Sequence, residues 1–502
     1  MTTSEPTTRP LAAPEGRASA KPPGRSRWFT TLFLTDVWER FSFYGMQAIL
    51  VLYAAAPQSE GGLGLPKATA AAMFGIYMAT IFMLALPGGW LGDRVLGERR
   101  AVMYGGITIA AGHYCMALPV KGCTYLGLLL IGVGTGVLKP NMSGLLTRFY
   151  GRGESVQREA SFSVFYMSVQ VSALLAPLVT GYLGERVSWH AGFMAAGVGM
   201  TFGVIQFAAG ARHFGDVGAA PGRPASRAEL WSAGRKPLAC LAVAGVLFGA
   251  DLAAGTFQIE HVLAGLGLVA FVVPFIGYAS LRRHPDLDAE ARTRLGAYTW
   301  LLLAAALFWM GVGQAGSLLN LFAKNSTDRG VSGFVIPAAW FQSAIPLFIL
   351  MTAPLFAVLW LRLGPRASVR LKFTVGLGFA GAGFLIMAAA AAAAADGHKV
   401  SPLWLVAVFL MLACGEITLG PVGIAAAADA APPAFRGRVI GLWWLFCALG
   451  VAVGSRVVLL TKVLPDSVYY LLVGVLAAAG AAALAVWGRR IGRIMAYDTH
   501  SR

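Results

Sequence analysis

Apolar stretches long enough to cross a bilayer recur along almost the entire chain, and no other feature restricts its fold as strongly. A spanning helix needs roughly 20 apolar residues. On that rule the 502 residues hold segments near 28–53, 68–92, 100–119, 123–147, 160–183, 190–210, 237–255, 261–281, 296–323, 336–361, 371–395, 402–427, 438–461 and 467–488, fourteen in all. Only 13% of the residues are charged, against about 25% in an ordinary soluble chain. So few charges cannot cover a water-soluble surface of this size, and an all-α membrane protein is expected. The first segment is not a signal peptide, because it runs about 25 residues and carries charges in its middle.

The net charge of +17 could point to nucleic acid, but the basic residues fall in short clusters between the apolar runs, where cytoplasmic loops keep Lys and Arg. With the amino-terminal tail inside and loops alternating sides, 30 Lys/Arg lie inside, seven outside (Lys67, Lys121, Arg186, Lys324, Arg329, Lys399, Lys462), and three within spans (Arg40, Lys139, Arg456). That asymmetry predicts both termini cytoplasmic and no nucleic-acid partner. Cys115, Cys123, Cys240, Cys414 and Cys447 lie in or beside apolar stretches without a CxxC pair. They read as small buried hydrophobes, with no metal or disulfide framework expected.

Residues 1–27 are rich in Pro, Ser, Ala, Gly and Arg, the composition of a disordered tail. A polar loop at 211–236 and a charged one at 282–295 bracket a helical pair, 237–281, whose only central charge is Asp251. The expected organisation is a six-helix bundle over 28–210, a linker over 211–295 with two extra spanning helices, a second six-helix bundle over 296–490, and a cytoplasmic tail over 491–502. Two six-helix halves around a central site are a common transporter plan.

A few ionisable residues are stranded at lipid depth. Asp36, Glu39 and Arg40 stand at i, i+3 and i+4 of the first segment, on one helical face. Each ionised group at the bilayer centre costs about 2.5–3.5 kcal/mol on insertion scales, so all three are expected to face a water-filled interior. Lys139 lies mid-span before Pro140, which frees backbone carbonyls. Glu416 sits in an otherwise apolar span of the second half. A zwitterion bridging the halves would meet Arg40 and Lys139 at one end and Glu416 at the other, as the carboxylate and amine of a short peptide require. A purely structural ion cluster, a snorkelling Lys139 and a packed Glu416 carboxyl are the alternatives.

GGWLGDRVLGERR (88–100) closes the second segment with three close-packing glycines and the charges Asp93, Arg94, Arg99 and Arg100. It resembles the loop signature of the major facilitator superfamily, which implies a conformational latch for these four residues. ERFSFYG (39–45) resembles the first-helix ExxERFxYY signature of the proton-dependent oligopeptide transporters, with Asp36 for the first Glu. GTGVLKPNMSGL (134–145), SFSVFYMSVQVSALLAP (161–177), FWMGVGQAGSLLNLFAKNSTDR (308–329), PAAWFQSAIPLFI (337–349) and RGRVIGLWWLFCALG (436–450) extend the likeness in family order.

The resemblance implies a major facilitator fold of two six-helix bundles plus two extra helices, fourteen spans in all. It implies that Arg40 and Lys139 hold a peptide carboxylate and Glu416 the amine. Asp36, Glu39, Arg40 and Glu416 would take part in proton coupling. Tyr44, Phe74, Phe165, Gln170, Trp309, Gln314 and Trp443 would line the substrate site. Four positions depart from the family pattern. Gly313 replaces an acidic residue regarded as a proton site, Gln47 an Arg, and Gln170 and Ala344 two Asn residues. Loss of the acid and the Arg together keeps the site electrically balanced, where loss of the acid alone would leave a buried cation.

The expected function is proton-coupled symport of di- or tripeptides or peptide-like solutes across the plasma membrane by a monomer that needs no cofactor. A facilitator or exporter of a non-peptide solute on the same fold, or a peptide sensor that moves nothing, would carry the same motifs. No enzyme is expected: HExxH, GxSxG and P-loop patterns are absent and the seven histidines are scattered.

Overall fold

A computed structural model describes residues 26–150, 155–430, 432 and 435–494. The tail expected over 1–27 lies almost wholly outside the described residues, and so does most of 491–502. The chain is nearly all helical. The long helices are α1 (Arg27–Ala55), α2 (Lys67–Leu91), α3 (Glu98–Met116), α4 (Lys121–Arg148), α5 (Ser155–Arg186), α6 (Trp189–Gly210), α7 (Arg227–Ala253), α8 (Ile259–Arg282) and α9 (Ala289–Val312). The short α10 (Leu318–Asn325) follows, and then α11 (Ala344–Leu363), α12 (Val369–Ala393), α13 (Leu403–Asp429), α14 (Arg436–Val457) and α15 (Asp466–Ile494). A two-stranded hairpin, β1 (Gly330–Val331) with β2 (Phe334–Val335), lies between α10 and α11.

Twelve spans among the described residues are both long and apolar enough to cross a membrane. The two other segments expected to span, near 28–53 and 100–119, form helices of 29 and 19 residues, α1 and α3. Neither meets the same test of apolarity, so the count of fourteen is not reached on that criterion. The reason in α1 is the Asp36, Glu39 and Arg40 group itself, which length alone conceals.

Helices α1–α6 pack on one another, α9 and α11–α15 form a second group, and α2 against α14 and α5 against α11 join the two. Close approach inside the first group depends on small residues. Pro140 of α4 has no N–H to give to the Gly136 carbonyl. Gly88 of α2 lies against that carbonyl, and a Cβ there would stand 2.1 Å from it. The Asn141 amide then donates to the Gly88 and Val137 carbonyls at 2.9 and 2.7 Å. Small side chains therefore set the distance between α2 and α4, and with it the position of Lys139 one residue before the proline.

Three expectations need correction. The span expected over 296–323 is broken: α9 stops at Val312, and the glycine-bearing turn through Gly313–Ser317 leads into α10. The seventh span begins ten residues earlier than expected, at Arg227, because Ser226 caps it. The Ser226 hydroxyl accepts from the Glu229 amide at 3.2 Å, and the Glu229 carboxylate accepts from the Ser226 amide at 2.9 Å. Asp251 is not a central charge; it stands in the last turn of α7, accepting from Thr256 at 2.6 Å and lying 2.6 Å from His261 Nδ1. Of the cysteines, Cys414 and Cys447 are buried, whereas Cys240, expected to be buried, is exposed on α7.

Candidate functional site

The first turns of the ERFSFYG motif and the middle of α4 build one charge cluster. Glu39 and Asp36 are buried on the inner face of α1. Arg40 Nε stands 3.5 Å from Asp36 Oδ1 and 3.4 Å from Glu39 Oε2, and Lys139 Nζ stands 3.6 Å from Glu39 Oε1. The Ser168 hydroxyl of α5 donates to Asp36 Oδ2 at 2.5 Å. Lys139 Nζ also lies 3.5 Å from the centroid of the Phe43 ring, a cation–π contact that holds the ammonium between α1 and α4. Two anions and two cations make the cluster neutral.

The pairs are loose. Charge-assisted bonds close to about 2.7–2.9 Å when well made, and here both Glu39 oxygens and Arg40 Nε lack a hydrogen-bond partner among the described residues. The Arg40 and Lys139 side chains each keep 21% exposure, whereas Glu39 keeps 1%. The carboxylates are therefore sealed in protein while the cations remain partly accessible. An incoming anion could take Arg40 and Lys139 from Glu39 at small geometric cost.

Glu416, half-buried on α13, is in electrostatic reach of Tyr44 on α1 and Tyr166 on α5. This places its carboxylate on the side of the second helix group that faces the first. No hydrogen bond or ion pair to Glu416 is recorded among the described residues. Tyr166, with 47% exposure, was not singled out from the sequence, although it stands in the FYMSV run; a tyrosine on an apolar helix gives no signal of which way it faces.

The remaining candidates divide. Tyr44 and Trp309 are half-buried, and Trp309 Nε1 is a sealed donor with no partner among the described residues. Leaving such a group unmet costs about 1–3 kcal/mol, which a bound solute or water would recover. Gln314 is buried, donating to the Met310 carbonyl at 3.2 Å and accepting from the Tyr469 hydroxyl at 2.9 Å. Gln170 and Phe165 are buried on α5, and Phe165 meets Phe29 and Phe33 edge-on. Phe74 and Trp443 are packed within protein in this conformation. Phe74 lies against Gly316, where a Cβ would be 2.4 Å from the ring, and Trp443 covers Gly423.

At Gly313 even a Cβ would be tightly placed. A Cβ there would meet the Trp309 carbonyl at 3.1 Å and both Val451 methyls at 3.3 Å. Gln47 and Ala344 are half-buried.

The 88–100 loop is tied to the linker. Arg94 gives a forked pair of bonds to the Glu229 carboxylate, both 2.8 Å, and its carbonyl accepts from the Ala225 amide at 2.9 Å. Arg99 donates to the Gly215 carbonyl at 3.1 Å and lies over the Phe214 ring. Asp93 and Arg100 are exposed. The buried Glu98, which sequence reading passed over, meets Arg148 at 2.5 Å.

Polar contacts between the two helix groups concentrate at the end that carries the carboxyl termini of α1 and α5. Glu185 accepts from Lys324 at 3.0 Å, Arg329 at 3.4 Å and the Ala339 amide at 3.0 Å. Burial pulls the Arg329 pKa down, and the Glu185 carboxylate opposes that pull. Trp340 donates to the Leu178 carbonyl, Ser343 to that of Leu174 and Asn320 to that of Ala48, and Lys67 pairs with Asp466. This end is closed. Glu185→Gln is expected to weaken the closure by about 1–3 kcal/mol. Amide hydrogen exchange over 318–343 checks this; unchanged protection there would mean that Glu185 does not hold the closure.

Comparison with known proteins gives a consistent result. The model of a family described as the POT family matches residues 99–472. A di-/tripeptide transporter of Lactococcus lactis subsp. cremoris is 32% identical over 464 residues, covering 90% of this chain and 93% of that protein. A crystal structure of a peptide transporter POT in complex with sulfate superposes with a TM-score of 0.89 at 37% identity, covering 95% of this chain and 98% of that one. A POT family transporter in complex with 5-aminolevulinic acid superposes with a TM-score of 0.88 at 30% identity, covering 93% and 97%.

Proposed function

Because this chain belongs to the POT family, we propose that it carries di- or tripeptides, or peptide-like zwitterions, across the membrane together with protons, by alternating access between its two helix groups. The observation that supports this reading is the asymmetric electrostatics of the site: partly exposed Arg40 and Lys139 on one group, and Glu416, without a recorded partner, on the other. The substrate carboxylate would displace Glu39 from the two cations, and the amine would pair with Glu416. A proton taken up by Asp36 or Glu39 offsets the charge left when Arg40 and Lys139 turn to substrate, so binding and protonation favour one another.

The loop charge asymmetry supports cytoplasmic termini. On that orientation the Glu185 closure is extracellular. The protein is read as acting in the plasma membrane as a monomer, with no chemical conversion of its cargo.

The test is uptake of a labelled dipeptide into liposomes with and without an inward acid gradient. Accumulation above equilibrium only with the gradient is expected; equal rates in both arms would exclude coupling. Gly313 favours a second reading, since the chain carries no acid at that position and Val451 would crowd a side chain there. The chain would then be a uniporter or exporter of a small zwitterion such as an amino-ketone acid. Under that reading the same assay gives flux of such a solute that no acid gradient changes.

A further inference from the structure

At the end of the bilayer opposite the Glu185 closure, α8 and α9 part, and a cavity of about 660 Å³ opens between them, lined by Tyr278, Ala279, Arg282, Arg283 and Arg292. Three of the five lining residues are arginines. No ion pair is recorded for Arg282, Arg283 or Arg292 among the described residues; Arg292 donates only to the His284 carbonyl, at 3.2 Å. Two of the three nearby carboxylates are engaged elsewhere, and the third, Asp286, is exposed, its amide donating to His284 Nδ1 at 3.3 Å. Asp288 caps α9 by accepting from the Ala291 amide at 2.6 Å, Glu290 pairs with Arg294 at 2.9 Å, and Asp286 stands 3.7 Å from His284. The cavity is held open by its own neighbours. The Thr299 hydroxyl donates to the Tyr278 hydroxyl at 2.7 Å, and His284 packs edge-on against Phe435 at the start of α14.

We infer that this cavity holds the phosphate headgroup of an anionic phospholipid, with its acyl chain along the α8–α9 groove. Phe275 and Phe271 follow Arg282 at helical spacing on α8, Phe275 meeting Phe446 of α14 edge-on, and Leu303 stands about three turns after Arg292 on α9; all three are exposed. From Arg282 to Phe271 a helix rises about 16 Å, close to one leaflet of a hydrocarbon core about 30 Å thick. A basic pocket at headgroup depth beneath an apolar strip one leaflet long matches a phosphodiester joined to an acyl chain. A soluble phosphate would use the arginines and leave the strip without purpose. The site is separate from Arg40, Lys139 and Glu416.

The test is native mass spectrometry of the full-length protein with phosphatidylglycerol or phosphatidylcholine added in detergent. Phosphatidylglycerol is expected to bind at least about tenfold more tightly, and the preference is expected to vanish in Arg282→Gln/Arg283→Gln/Arg292→Gln. The triple Lys variant keeps the charge and is expected to keep the preference, and the single Arg283→Glu variant is expected to weaken it. The Arg283→Glu arm decides if the triple Gln variant does not fold. A control substitution in another basic loop, Arg362→Gln, leaves the preference intact. Retention of the full preference in the triple Gln variant or in Arg283→Glu would overturn the inference. So would competition by glycerol 3-phosphate at lipid-like concentrations, which would mark a site for soluble anions.

Discussion

Glu39→Gln is expected to destabilise the protein by about 3–5 kcal/mol and to abolish dipeptide uptake, because it strips one carboxylate from two cations held at lipid depth. Glu39 is the shared partner: Arg40 stands 3.4 Å from one of its oxygens and Lys139 3.6 Å from the other. Asp36, bound to Ser168 and Arg40, cannot reach both. The double variant Glu39→Gln/Lys139→Gln restores neutrality and is expected to recover most of the stability but none of the uptake. Thermal unfolding of the single and double variants in detergent measures the first part, and liposome uptake the second. A single variant as stable as the parent would mean that the cluster is already hydrated and that the pairs contribute nothing.

Glu416→Gln is expected to show the opposite signature. It has no recorded partner to lose, so stability is expected to stay close to that of the parent. Uptake of a dipeptide with a free amine is expected to fall about ten- to hundredfold, the worth of one hydrogen bond to a charged group. An N-acetylated dipeptide, which brings no ammonium, is expected to bind parent and variant alike. Equal loss for both solutes would show that Glu416 serves the conformational cycle and not the amine. The two variants together therefore separate a carboxylate that holds the protein from one that holds the cargo.

Several features were legible in the sequence for a simple reason: the bilayer penalises mistakes heavily. A charge at lipid depth is rare enough that Asp36, Glu39, Arg40, Lys139 and Glu416 stand out without any structure. The i, i+3, i+4 spacing puts the first three on one face, and α1 does bring them together. Aromatic and amide residues carry no such penalty. Phe74 and Trp443 match a family motif as well as Tyr44 does, yet both are packed against glycines. Tyr166, in reach of Glu416, gave no signal at all. In the 88–100 loop nothing in the sequence marked the partner: Arg94 grips Glu229 of α7, more than a hundred residues away.

By itself, then, the sequence determined that the chain lives in a membrane, that it has a paired-bundle layout with an inserted hairpin, and which ionisable side chains cannot face lipid. Those follow from hydropathy and the cost of buried charge, quantities that each residue carries with it. Only the tertiary structure decided that the two cations are loosely shared with sealed carboxylates, that Glu416 is left without a recorded partner, and which end is closed. Those depend on distances between helices, and small residues such as Gly88 and Gly136 set such distances through contacts that no single segment contains.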